Sequence, residues 1–504
     1  MSNQLVGSRY NISIPLKAGR RLVYNSLTQA VALWEHADAV AFDAVVAGEP
    51  VEAARWADLA KGGFVVDEAI DEVQVLEGMY HRSRFNSQNV MLTIAPTMAC
   101  NFVCDYCFQG QDKPHETMGV AVQDAILGML EKAAPQVKSV GVTWYGGEPL
   151  VRVKVIEQLS DRMIRLCQAR GLRYTASVVT NGYLLSKDVA FSLVERGVTW
   201  IQITLDGTPE YHDTRRYLMG GKGSFHKIIA NLKSFITELP RLAIAIRVNI
   251  DDRNASDIHG LLDYMADQGF GKATPNLNVY FAPVEATTEG CHIVEDVTMA
   301  KRRYGELEAE LYAHAYALGL APLPFPPRFH GNCGAVQPSS LVILPTGDLH
   351  KCWDTVSWPD KKVGTIFNLP AVVENELMLK WLRWTPFDNA TCKNCKILPN
   401  CAGSCAYKFI HSGDTRGEAA VLPCPSWKYN IKERLLQRAI GKGVLTTDDF
   451  DAHETRTIPS ELCADNILDG GKALPEAMAG FYDEQKRETR ERRFLPMAPK
   501  QDVT

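Results

Sequence analysis

Short apolar runs alternate with amphipathic stretches from about residue 88 to residue 320. The apolar runs predict six β-strands, over residues 90–95, 139–145, 174–180, 200–205, 242–250 and 276–281. The amphipathic stretches predict helices near residues 119–133, 153–169, 186–196, 223–237 and 254–268. Strands that alternate with helices indicate βα units around a parallel sheet. Six such strands favour an α/β fold with a partial (β/α)6 barrel over a closed eight-stranded barrel.

The region before the barrel has a different pattern. Residues 1–85 alternate short β-like runs, over 10–16 and 21–24, with helical patterns over 27–36 and 67–81. This predicts a small α/β module. The alternative interpretation is a structural cap without a recognition role.

The region after the barrel is rich in cysteine. A helical stretch near 298–317 and a proline-rich linker lead into residues 328–440, which we expect to form a separate domain. A tail follows at 441–504, and its mixed-charge run over 484–493 predicts a solvated helix face.

The composition restricts the kind of partner and the cellular compartment that we expect for this protein. The chain has 504 residues, a net charge of −5 and 13 cysteines. An acidic balance argues against nucleic acid as the main partner, because phosphate binding relies on a basic field. No run of 18 apolar residues occurs and the N-terminus lacks the apolar core of a signal peptide, so we expect a cytoplasmic protein without a membrane partner. In a reducing compartment, an odd number of cysteines favours metal or cluster ligation over disulfides.

Three cysteines, Cys100, Cys104 and Cys107, follow the first predicted strand, so their thiolates should project from the rim where barrel enzymes place their chemistry. Three thiolates hold three irons of a cubane and leave the fourth iron open. A zinc site takes four protein ligands, or three and a water, and this loop contains no fourth Cys or His. The CxxxCxxC spacing, with Tyr106 before the last cysteine, resembles the signature of the radical S-adenosylmethionine (SAM) superfamily. The resemblance implies a catalytic [4Fe-4S] cluster on these cysteines that binds SAM, with Tyr106 beside the cofactor.

The second predicted strand ends in a glycine-rich motif. Gly146, Gly147 and Glu148 belong to the run Trp144-Tyr145-Gly146-Gly147-Glu148-Pro149, which resembles the GGEP element of the same superfamily. Glycines allow the backbone to approach a ligand closely, and strand-end carbonyls with a carboxylate can bind an ammonium group. The resemblance implies that these three residues hold the amino group of the methionine part of SAM. A plain β-turn is the alternative interpretation.

Polar residues also end the third, fourth and fifth predicted strands. Asn181 lies in a Thr-Asn-Gly motif, and Thr204 precedes an Asp-Gly pair that is followed by the run His212 to Arg216. The resemblance places the Thr204 hydroxyl and the Arg216 guanidinium near the carboxylate and ribose of SAM, and a guanidinium suits a carboxylate physically. Arg215 remains an alternative for this role. Asn181 and, on the fifth strand, Arg247 are further candidates for cofactor binding.

Seven later cysteines form a second spaced pattern that resembles the SPASM extension of radical SAM enzymes. The resemblance implies two auxiliary [4Fe-4S] clusters, and therefore three clusters in the chain. The first would be held by Cys333, Cys352 and Cys405, and the second by Cys392, Cys395, Cys401 and Cys424. The zinc-ribbon alternative uses the cysteines between 392 and 405 alone and leaves the others without a purpose.

The first auxiliary cluster lacks one cysteine ligand. Some SPASM enzymes carry an eighth cysteine, and residues 334–351 contain none. The cluster then has an open iron, which suits a substrate thiolate, or it takes a ligand from elsewhere in the chain, with Cys291, His330 and Cys463 as candidates. Cys167 lies in a predicted helix and is most simply a small core residue.

The resemblance implies a peptide maturase that acts on a ribosomally made precursor peptide. An external donor of the flavodoxin or ferredoxin type supplies an electron, SAM is split, and the 5′-deoxyadenosyl radical abstracts a hydrogen from a peptide side chain. The expected product is an intramolecular thioether or carbon–carbon crosslink. The N-terminal 85 residues resemble the leader-recognition region of such maturases.

Two other functions stay open. The first is an anaerobic sulfatase-maturating enzyme that forms formylglycine. Such enzymes carry an acidic base after the cysteine that corresponds to Cys352, where this chain has Trp353, although Asp354 follows as a candidate catalytic base. The second is a non-catalytic, zinc-stabilised binding protein.

Overall fold

The computed structural model describes residues 5–49, 59–86, 88–110, 113–286, 288, 294, 296–368, 375–411 and 422–451. The predicted helix at 484–493, and the candidate ligands Cys291 and Cys463, lie outside these residues. Within the described residues, no helix is both long and apolar enough to span a membrane.

The N-terminal region is a small α/β module. Its elements are β1 (Leu5–Gly7), β2 (Asn11–Pro15), β3 (Arg21–Asn25), β4 (Val31–Trp34), α1 (His36–Val46), β5 (Val65–Asp67) and α2 (Glu72–Arg84). Strands β2, β3 and β4 form an antiparallel meander, and β1 pairs with β5.

The helix predicted over 27–36 is wrong. Residues 31–34 form β4, which pairs in register with β3 and buries Trp34, and α1 begins only at His36. The apolar residues of this short segment fit both a helical and a strand period, and pairing with β3 decides the outcome. The Glu35 backbone N–H donates to the Asp38 carboxylate at 3.3 Å, which fixes the start of α1.

The six predicted barrel strands are all present. The elements of this region are β6 (Asn89–Ile94), β7 (Phe102–Cys104), α3 (Val120–Ala133), β8 (Ser139–Trp144), α4 (Val153–Arg170), β9 (Arg173–Thr180), α5 (Lys187–Glu195), β10 (Val198–Thr204), α6 (Pro209–Arg215), β11 (Arg216–Leu218), α7 (Phe225–Phe235), β12 (Ala243–Ile250), α8 (Ile258–Asp267), β13 (Leu277–Pro283) and α9 (Lys301–Ala317). The short strands β7 and β11 form a separate antiparallel pair that the sequence pattern did not predict.

The barrel strands form a sheet whose spatial order follows their order in the chain. From one end, the order is β13, β12, β10, β9, β8, β6, and all neighbours in this series are parallel. One face of the strands is apolar, with Val142, Val178 and Ile203 buried, and the other face carries polar residues such as Thr143 and Ser177, whose side chains hydrogen-bond to each other at 2.9 Å. Cys167 of α4 is 1% exposed in this core, as predicted.

The cysteine-rich region continues the same sheet. Its elements are β14 (Ser340–Ile343), β15 (Asp348–His350), β16 (Gly364–Thr365), α10 (Glu376–Arg383), α11 (Ala390–Lys393), α12 (Leu398–Cys401), α13 (Ala406–His411) and α14 (Trp427–Gly441). Strand β14 pairs parallel with β6, and β15 and β16 follow antiparallel, which gives a sheet of nine strands.

The N-terminal module packs on the cysteine-rich region. Tyr10 and Tyr24 of the module share an apolar cluster with Ile397 and Leu435. The amide of Asn400, next to Cys401, donates to the Tyr24 hydroxyl at 2.8 Å. The module therefore packs against the segment that precedes Cys401.

Candidate cluster and cofactor site

The first three cysteines lie in the loop that follows β6. Cys104 is in β7, and the antiparallel pairing of β7 with β11 sets Arg216 directly opposite Cys104. Burial raises the pKa of the Cys104 thiol to about 12, while the Arg216 charge acts in the opposite direction. The negative charges of Cys107 and Cys100 raise it further, so the three thiols share one space.

The thiols fit an iron–sulfur cubane better than a single metal ion. No three His, Cys, Asp or Glu side chains in the described part of the chain converge as ligands of one ion. Tetrahedral zinc requires such convergence, whereas a cubane presents each thiolate with its own iron. The Lys113 ammonium faces Cys107 and Cys100, and although burial acts to lower its pKa, the charges of the three cysteines and a hydrogen bond with Cys107 together raise it. Lys113 lies in no recognisable sequence motif, so its position beside the cysteines could not be predicted.

The glycine-rich loop after β8 packs directly on the cysteine loop. The Gly147 N–H donates to Thr97 O at 3.3 Å, and the Glu148 N–H donates to Ala99 O at 2.9 Å. A Cβ atom would lie 2.2 Å from Thr97 O at Gly146 and 2.1 Å from the Met98 carbonyl oxygen at Gly147. Gly146 also has a φ of +133°. Only glycine fits both positions.

Two groups of this loop are already bound within the protein. The Gly146 carbonyl accepts a hydrogen bond from the Gln109 amide at 3.0 Å. The Glu148 carboxylate is 1% exposed and accepts hydrogen bonds from the Thr180 hydroxyl and the Asn181 N–H, both at 2.7 Å, and from the Leu150 N–H at 3.0 Å. Burial raises the pKa of Glu148. The carboxylate therefore ties the end of β8 to the end of β9.

Asn181 extends this link to the cysteine loop. Its side-chain amide donates to the Asn101 side chain at 2.8 Å, and its own oxygen accepts from the Tyr183 N–H at 3.0 Å. Asn101 immediately follows Cys100. The predicted residue thus lies beside the cluster loop and holds it to the end of β9.

Tyr106 is the centre of a hydrogen-bonded group. Its hydroxyl donates to Asp206, and it accepts from the Arg216 guanidinium at 2.5 Å and from the Asn249 amide at 3.2 Å. Asp206 is fully buried, and its other oxygen accepts from the Asn249 N–H at 3.0 Å. The buried Arg216 Nε has no hydrogen-bond partner among the described residues. A donor in this position fits an oxygen of SAM.

The neighbouring arginine has carboxylate partners. Arg215 donates to Asp251 at 2.8 Å, lies 3.6 Å from Asp105, and stacks 4.7 Å from the centre of the Tyr106 ring. Arg216, by contrast, lies opposite Cys104 and is 4.0 Å from Asp206. Arg216 therefore lies beside the cysteines, whereas Arg215, whose buried Nη1 also has no hydrogen-bond partner among the described residues, stays the alternative.

The last two predicted cofactor residues face each other across neighbouring strands. Thr204 of β10 is in register with Arg247 of β12. The Arg247 guanidinium donates to the Asn249 side chain at 2.7 Å and lies 5.9 Å from the centre of the Tyr280 ring. Asn249 in turn contacts Tyr106, so these residues border the same hydrogen-bonded group.

The later cysteines lie in two groups. Burial raises the pKa of Cys352, and the charges of Asp354, Cys333 and Cys405 raise it further. Burial also raises the pKa of Cys392, followed by the charges of the other three thiols of its group, which are Cys401, Cys424 and Cys395. The SPASM resemblance implies the same two groupings of cysteines, and their assignment as cluster ligands stays a prediction.

The second group includes a buried cation that was not predicted. The Lys428 ammonium is 1% exposed and donates to the Cys424 sulfur at 3.6 Å. His330 lies near this side as well, with its ring 4.8 Å from that of Trp427. The His330 ring thus packs against an aromatic residue on this side, and its assignment as a candidate ligand stays a prediction.

An aromatic contact joins the first cysteine loop to the group of Cys352. The Trp353 ring packs against the Tyr145 ring with centres 3.8 Å apart, and Phe108 stacks on Tyr145 at 6.3 Å. Phe108 directly follows Cys107, and Trp353 directly follows Cys352. Burial raises the pKa of Tyr145, and the charges of Cys107 and Asp354 add to it. Tyr145 therefore lies between the two cysteine groups.

Comparison with known families identifies the barrel. Residues 94–265 match the radical SAM superfamily. These residues form a radical SAM domain. A radical SAM domain implies one [4Fe-4S] cluster and SAM, and the cysteine loop and the residues around Tyr106 fit both.

Three curated relatives are similar to part of this chain, and their named activities differ from one another. Fe-coproporphyrin III synthase of Methanosarcina barkeri is 26% identical over 34% of this chain. Sporulation killing factor maturation protein SkfB of Bacillus subtilis is 26% identical over 36% of this chain. A cysteine-type anaerobic sulfatase-maturating enzyme of Clostridium novyi is 27% identical over 29% of this chain. The matched region covers 40% of the length of each relative. This chain therefore matches less than half of the length of each of these relatives.

A solved structure shares the fold over a longer part of the chain. The structure titled native anSMEcpe with bound AdoMet and Cp18Cys peptide aligns with a TM-score of 0.51 and 16% identity, over 70% of this chain and 97% of that chain. At this level of identity, the match shows the same α/β fold and nothing finer.

Proposed function

We propose that the protein is a radical SAM/SPASM peptide maturase that forms an intramolecular thioether or carbon–carbon crosslink in a precursor peptide. The observation that carries the proposal is the packing of Trp353 on Tyr145 at 3.8 Å. It sets the loop of the SAM-type cysteines against the group of Cys352. A substrate side chain that reacts at the first site then lies within reach of a second redox group, which a crosslinking oxidation requires. A relative named sporulation killing factor maturation protein SkfB supports this class.

The residues around Tyr106 would bind and orient the cofactor. Arg216 presents its unpartnered Nε to an oxygen of SAM, and the Tyr106 hydroxyl and Asp206 hold the guanidinium in place. When bound, the cluster and SAM supply a 5′-deoxyadenosyl radical that abstracts hydrogen. Gly146 and Gly147 allow the close packing of the two loops, and Glu148 keeps the ends of β8 and β9 together.

The two later cysteine groups would hold auxiliary clusters. Cys333, Cys352 and Cys405 form the first ligand set, and the second consists of Cys392, Cys395, Cys401 and Cys424. Their role is to accept the electron that remains when the substrate radical closes its new bond. A flavodoxin- or ferredoxin-type protein would supply the electron that starts each turnover.

The N-terminal module would recognise the precursor peptide. Within the described residues, β4 pairs only with β3, so one edge of this strand is open. Val31 at its start is 50% exposed. An open strand edge binds an extended peptide through backbone hydrogen bonds. A peptide bound at this edge would lie near the later cysteines, because Tyr24 of the module contacts Asn400.

Co-expression with the short peptide encoded beside this gene tests the proposal. Crosslinking removes two hydrogens from the peptide, and tandem mass spectrometry then shows no fragments between the joined residues. The control is the Cys100→Ala/Cys104→Ala/Cys107→Ala variant, which should leave the peptide unchanged and form no 5′-deoxyadenosine. An unmodified peptide with the active enzyme contradicts the proposal.

Asp354 favours formylglycine formation as a second candidate function. Burial raises the pKa of this carboxyl to about 6, and the charge of Glu285 adds to the shift. A carboxyl with such a pKa suits proton abstraction from a substrate thiol near neutral pH. Conversion of a peptide Cys side chain to an aldehyde would establish this function in place of crosslinking.

Metal analysis separates both enzyme functions from a zinc-stabilised binding protein. After anaerobic reconstitution, three cubanes require roughly twelve irons per chain. Tightly bound zinc without iron would exclude the enzyme proposals.

A further inference from the structure

We propose that the outer face of the β7–β11 strand pair is the docking surface for the electron donor, and that this donor is an acidic flavodoxin-type protein. The inference rests on the proposed function, because it requires a cluster on Cys100, Cys104 and Cys107. It gives the partner that starts each turnover a place on the molecule, and it commits to one of the two donor types.

The two faces of this strand pair differ in what they contact. Successive side chains of a strand point to opposite faces, and Phe102, Cys104 and Arg216 are the buried ones. The Arg216 guanidinium lies 5.7 Å from the centre of the Phe102 ring, on the same face as Cys104. Val103 is in register with Tyr217 between these buried residues, so both side chains point to the other face. The outer face is therefore one residue away from a cysteine of the first cluster motif.

The outer face is apolar and open. Met219 directly follows β11 and is 67% exposed, and Val103 and Tyr217 are half-buried. In the described part of the chain, the apolar clusters include Phe102 and Leu218 of the strand pair but not Val103, Tyr217 or Met219. Apolar side chains that share one uncovered face of a two-stranded sheet indicate a surface for a partner.

The turn that carries Met219 is bonded to the cysteine loop. The Met219 N–H donates to Asn101 O at 3.1 Å, and Asn101 directly follows Cys100. The turn itself is closed by the Leu218 N–H, which donates to Lys222 O at 2.9 Å. An electron that enters at Met219 crosses one hydrogen bond and the backbone of Asn101 before it reaches Cys100. Because electron transfer slows steeply with distance, this connection favours the outer face as the point of entry.

The charge around this face suits an acidic partner. Residues 214–237 contain five lysines and arginines and no aspartate or glutamate, in a chain whose net charge is −5. Lys222 is exposed in the same turn as Met219, and Lys227 is exposed in α7, which begins three residues after Lys222. Complementary charges across an interface steer association and select the partner.

The acids next to this face are bound within the protein. Asp105 forms an ion pair with Arg253 at 2.6 Å. Asp213 accepts hydrogen bonds from the backbone N–H groups of residues 224 and 225, at 2.7 and 2.9 Å, at the start of α7. A helix N-terminus stabilises a negative charge in this position. The charges of both acids are thus offset at short range, and those of Lys222 and Lys227 determine the attraction.

A flavodoxin-type donor fits this combination of features. The apolar edge of a flavin ring suits Val103, Tyr217 and Met219, and an acidic protein surface around the flavin suits Lys222 and Lys227. On docking, the flavin is oxidised by one electron and the cluster is reduced by one electron. No bond is made or broken, and no proton is transferred.

Stopped-flow mixing of the reconstituted full-length protein with a reduced, purified acidic flavodoxin tests the surface. Bleaching of the cluster absorbance reports the reduction. The phase that is absent from the Cys100→Ala/Cys104→Ala/Cys107→Ala variant belongs to the first cluster. Sodium dithionite serves as the parallel reductant, because a small molecule needs no docking surface.

Met219→Asp should slow this phase about 10-fold or more with flavodoxin and leave the dithionite reaction unchanged. Lys222→Glu should slow it at low salt and have much less effect at about 1 M salt, where the Debye length is about 3 Å. Calorimetric titration with oxidised flavodoxin should show weaker binding to both variants. The matched control is Val46→Asp, which places the same charge on a 61% exposed apolar position in the N-terminal module and should change neither measurement.

Three outcomes overturn the inference. The first is an equal rate with flavodoxin for Met219→Asp and Val46→Asp. The second is a ferredoxin-type donor whose reaction depends on Met219 when that of flavodoxin does not. The third is a dimer in sedimentation velocity that Met219→Asp converts to a monomer, because a second copy of the chain then covers this face.

Failure of the proposed function gives a different result. In that case, replacing the three cysteines removes no phase and no iron, and dithionite also fails to reduce a first cluster. A dithionite-reducible first cluster whose reduction by flavodoxin ignores Met219 refutes the docking surface alone.

Discussion

The Arg216 guanidinium donates a hydrogen bond to the Tyr106 hydroxyl at 2.5 Å, next to the last cysteine of the first cluster motif. The two residues are 110 positions apart in sequence. The pairing of β7 with β11 brings them together, since it sets Arg216 opposite Cys104. The position of Arg216 therefore depends on the short antiparallel strand pair β7–β11, which lies outside the main sheet.

Tyr106→Phe should weaken SAM binding about 10- to 100-fold, because it removes a hydroxyl that connects two charged groups. Asp206 and Arg216 would each lose a partner in a buried setting. Equilibrium dialysis of SAM with the reconstituted protein measures the effect. Tyr174→Phe is the matched control, since it removes a tyrosine hydroxyl that donates to Ser160 Oγ at 3.5 Å. Equal affinities of the two variants would contradict the role given to Tyr106.

Gly147→Ala should disrupt the first cluster without unfolding the barrel. The added Cβ would lie 2.1 Å from Met98 O and 2.4 Å from Ala99 O, so the cysteine loop must move. We expect loss of about four irons per chain and of 5′-deoxyadenosine formation, with an unchanged far-ultraviolet circular dichroism spectrum.

The control for this substitution is Gly128→Ala. Gly128 lies in α3 with no atom within 4 Å of an added Cβ, so alanine should stabilise the helix by up to about 1 kcal/mol. A Gly147→Ala protein with full iron content would show that the loop tolerates the shift.

The parallel sheet was predictable from the sequence because each strand is a compact apolar run between amphipathic helices. The segment at 27–36 was not, because its apolar residues fit two periods and only the pairing with β3 distinguishes them. The cysteine groups followed from spacing and resemblance. The hydrogen bonds that hold the first cysteine group in place could not be predicted from spacing. Glu148 contacts Thr180, and Tyr106 contacts Asn249, only in the folded chain.

Buried cations were the main class of residue that sequence reasoning missed. Lys428 and Arg84 are each 1% exposed, and neither lies in a recognisable motif. A buried cation is set by partners that are distant in sequence, so local periodicity carries no signal for it.

Arg84→Met should destabilise the protein by about 3–5 kcal/mol, since buried carbonyl groups would lose their donor. The guanidinium of Arg84, in α2, donates to the carbonyls of Val336 at 2.7 Å, Trp384 at 2.5 Å and Trp381 at 3.0 Å, and to that of Leu382. These groups belong to the end of α10 and to the segment after Cys333.

Urea unfolding measures this loss, and Arg82→Met, an exposed change on the same helix, is the control. If both variants unfold at the same urea concentration, Arg84 does not join the N-terminal module to the cysteine-rich region.

His411 should make stability fall in mild acid. Burial lowers the pKa of His411 from 6.5 to about 4, and the charges of Lys361 and Lys380 act in the same direction. The ring lies between those of Trp381 and Tyr407, with centres 5.6 Å and 5.1 Å away. The unfolded chain therefore binds a proton near pH 6.5 that the folded chain binds only near pH 4. The stabilising contribution is full above pH 6.5 and is lost as the pH falls through this window.

His411→Phe should keep the ring packing and remove this part of the pH dependence. Urea unfolding at several pH values between about 7 and 5 compares the two proteins. We expect the free energy of unfolding to fall more steeply as the pH decreases in the unmodified protein. Only in that protein does the unfolded chain gain a proton that the folded chain does not bind. Parallel pH profiles of the two proteins would mean that the histidine is protonated in the folded state, and that the aromatic contacts with Trp381 and Tyr407 do not exclude its charge.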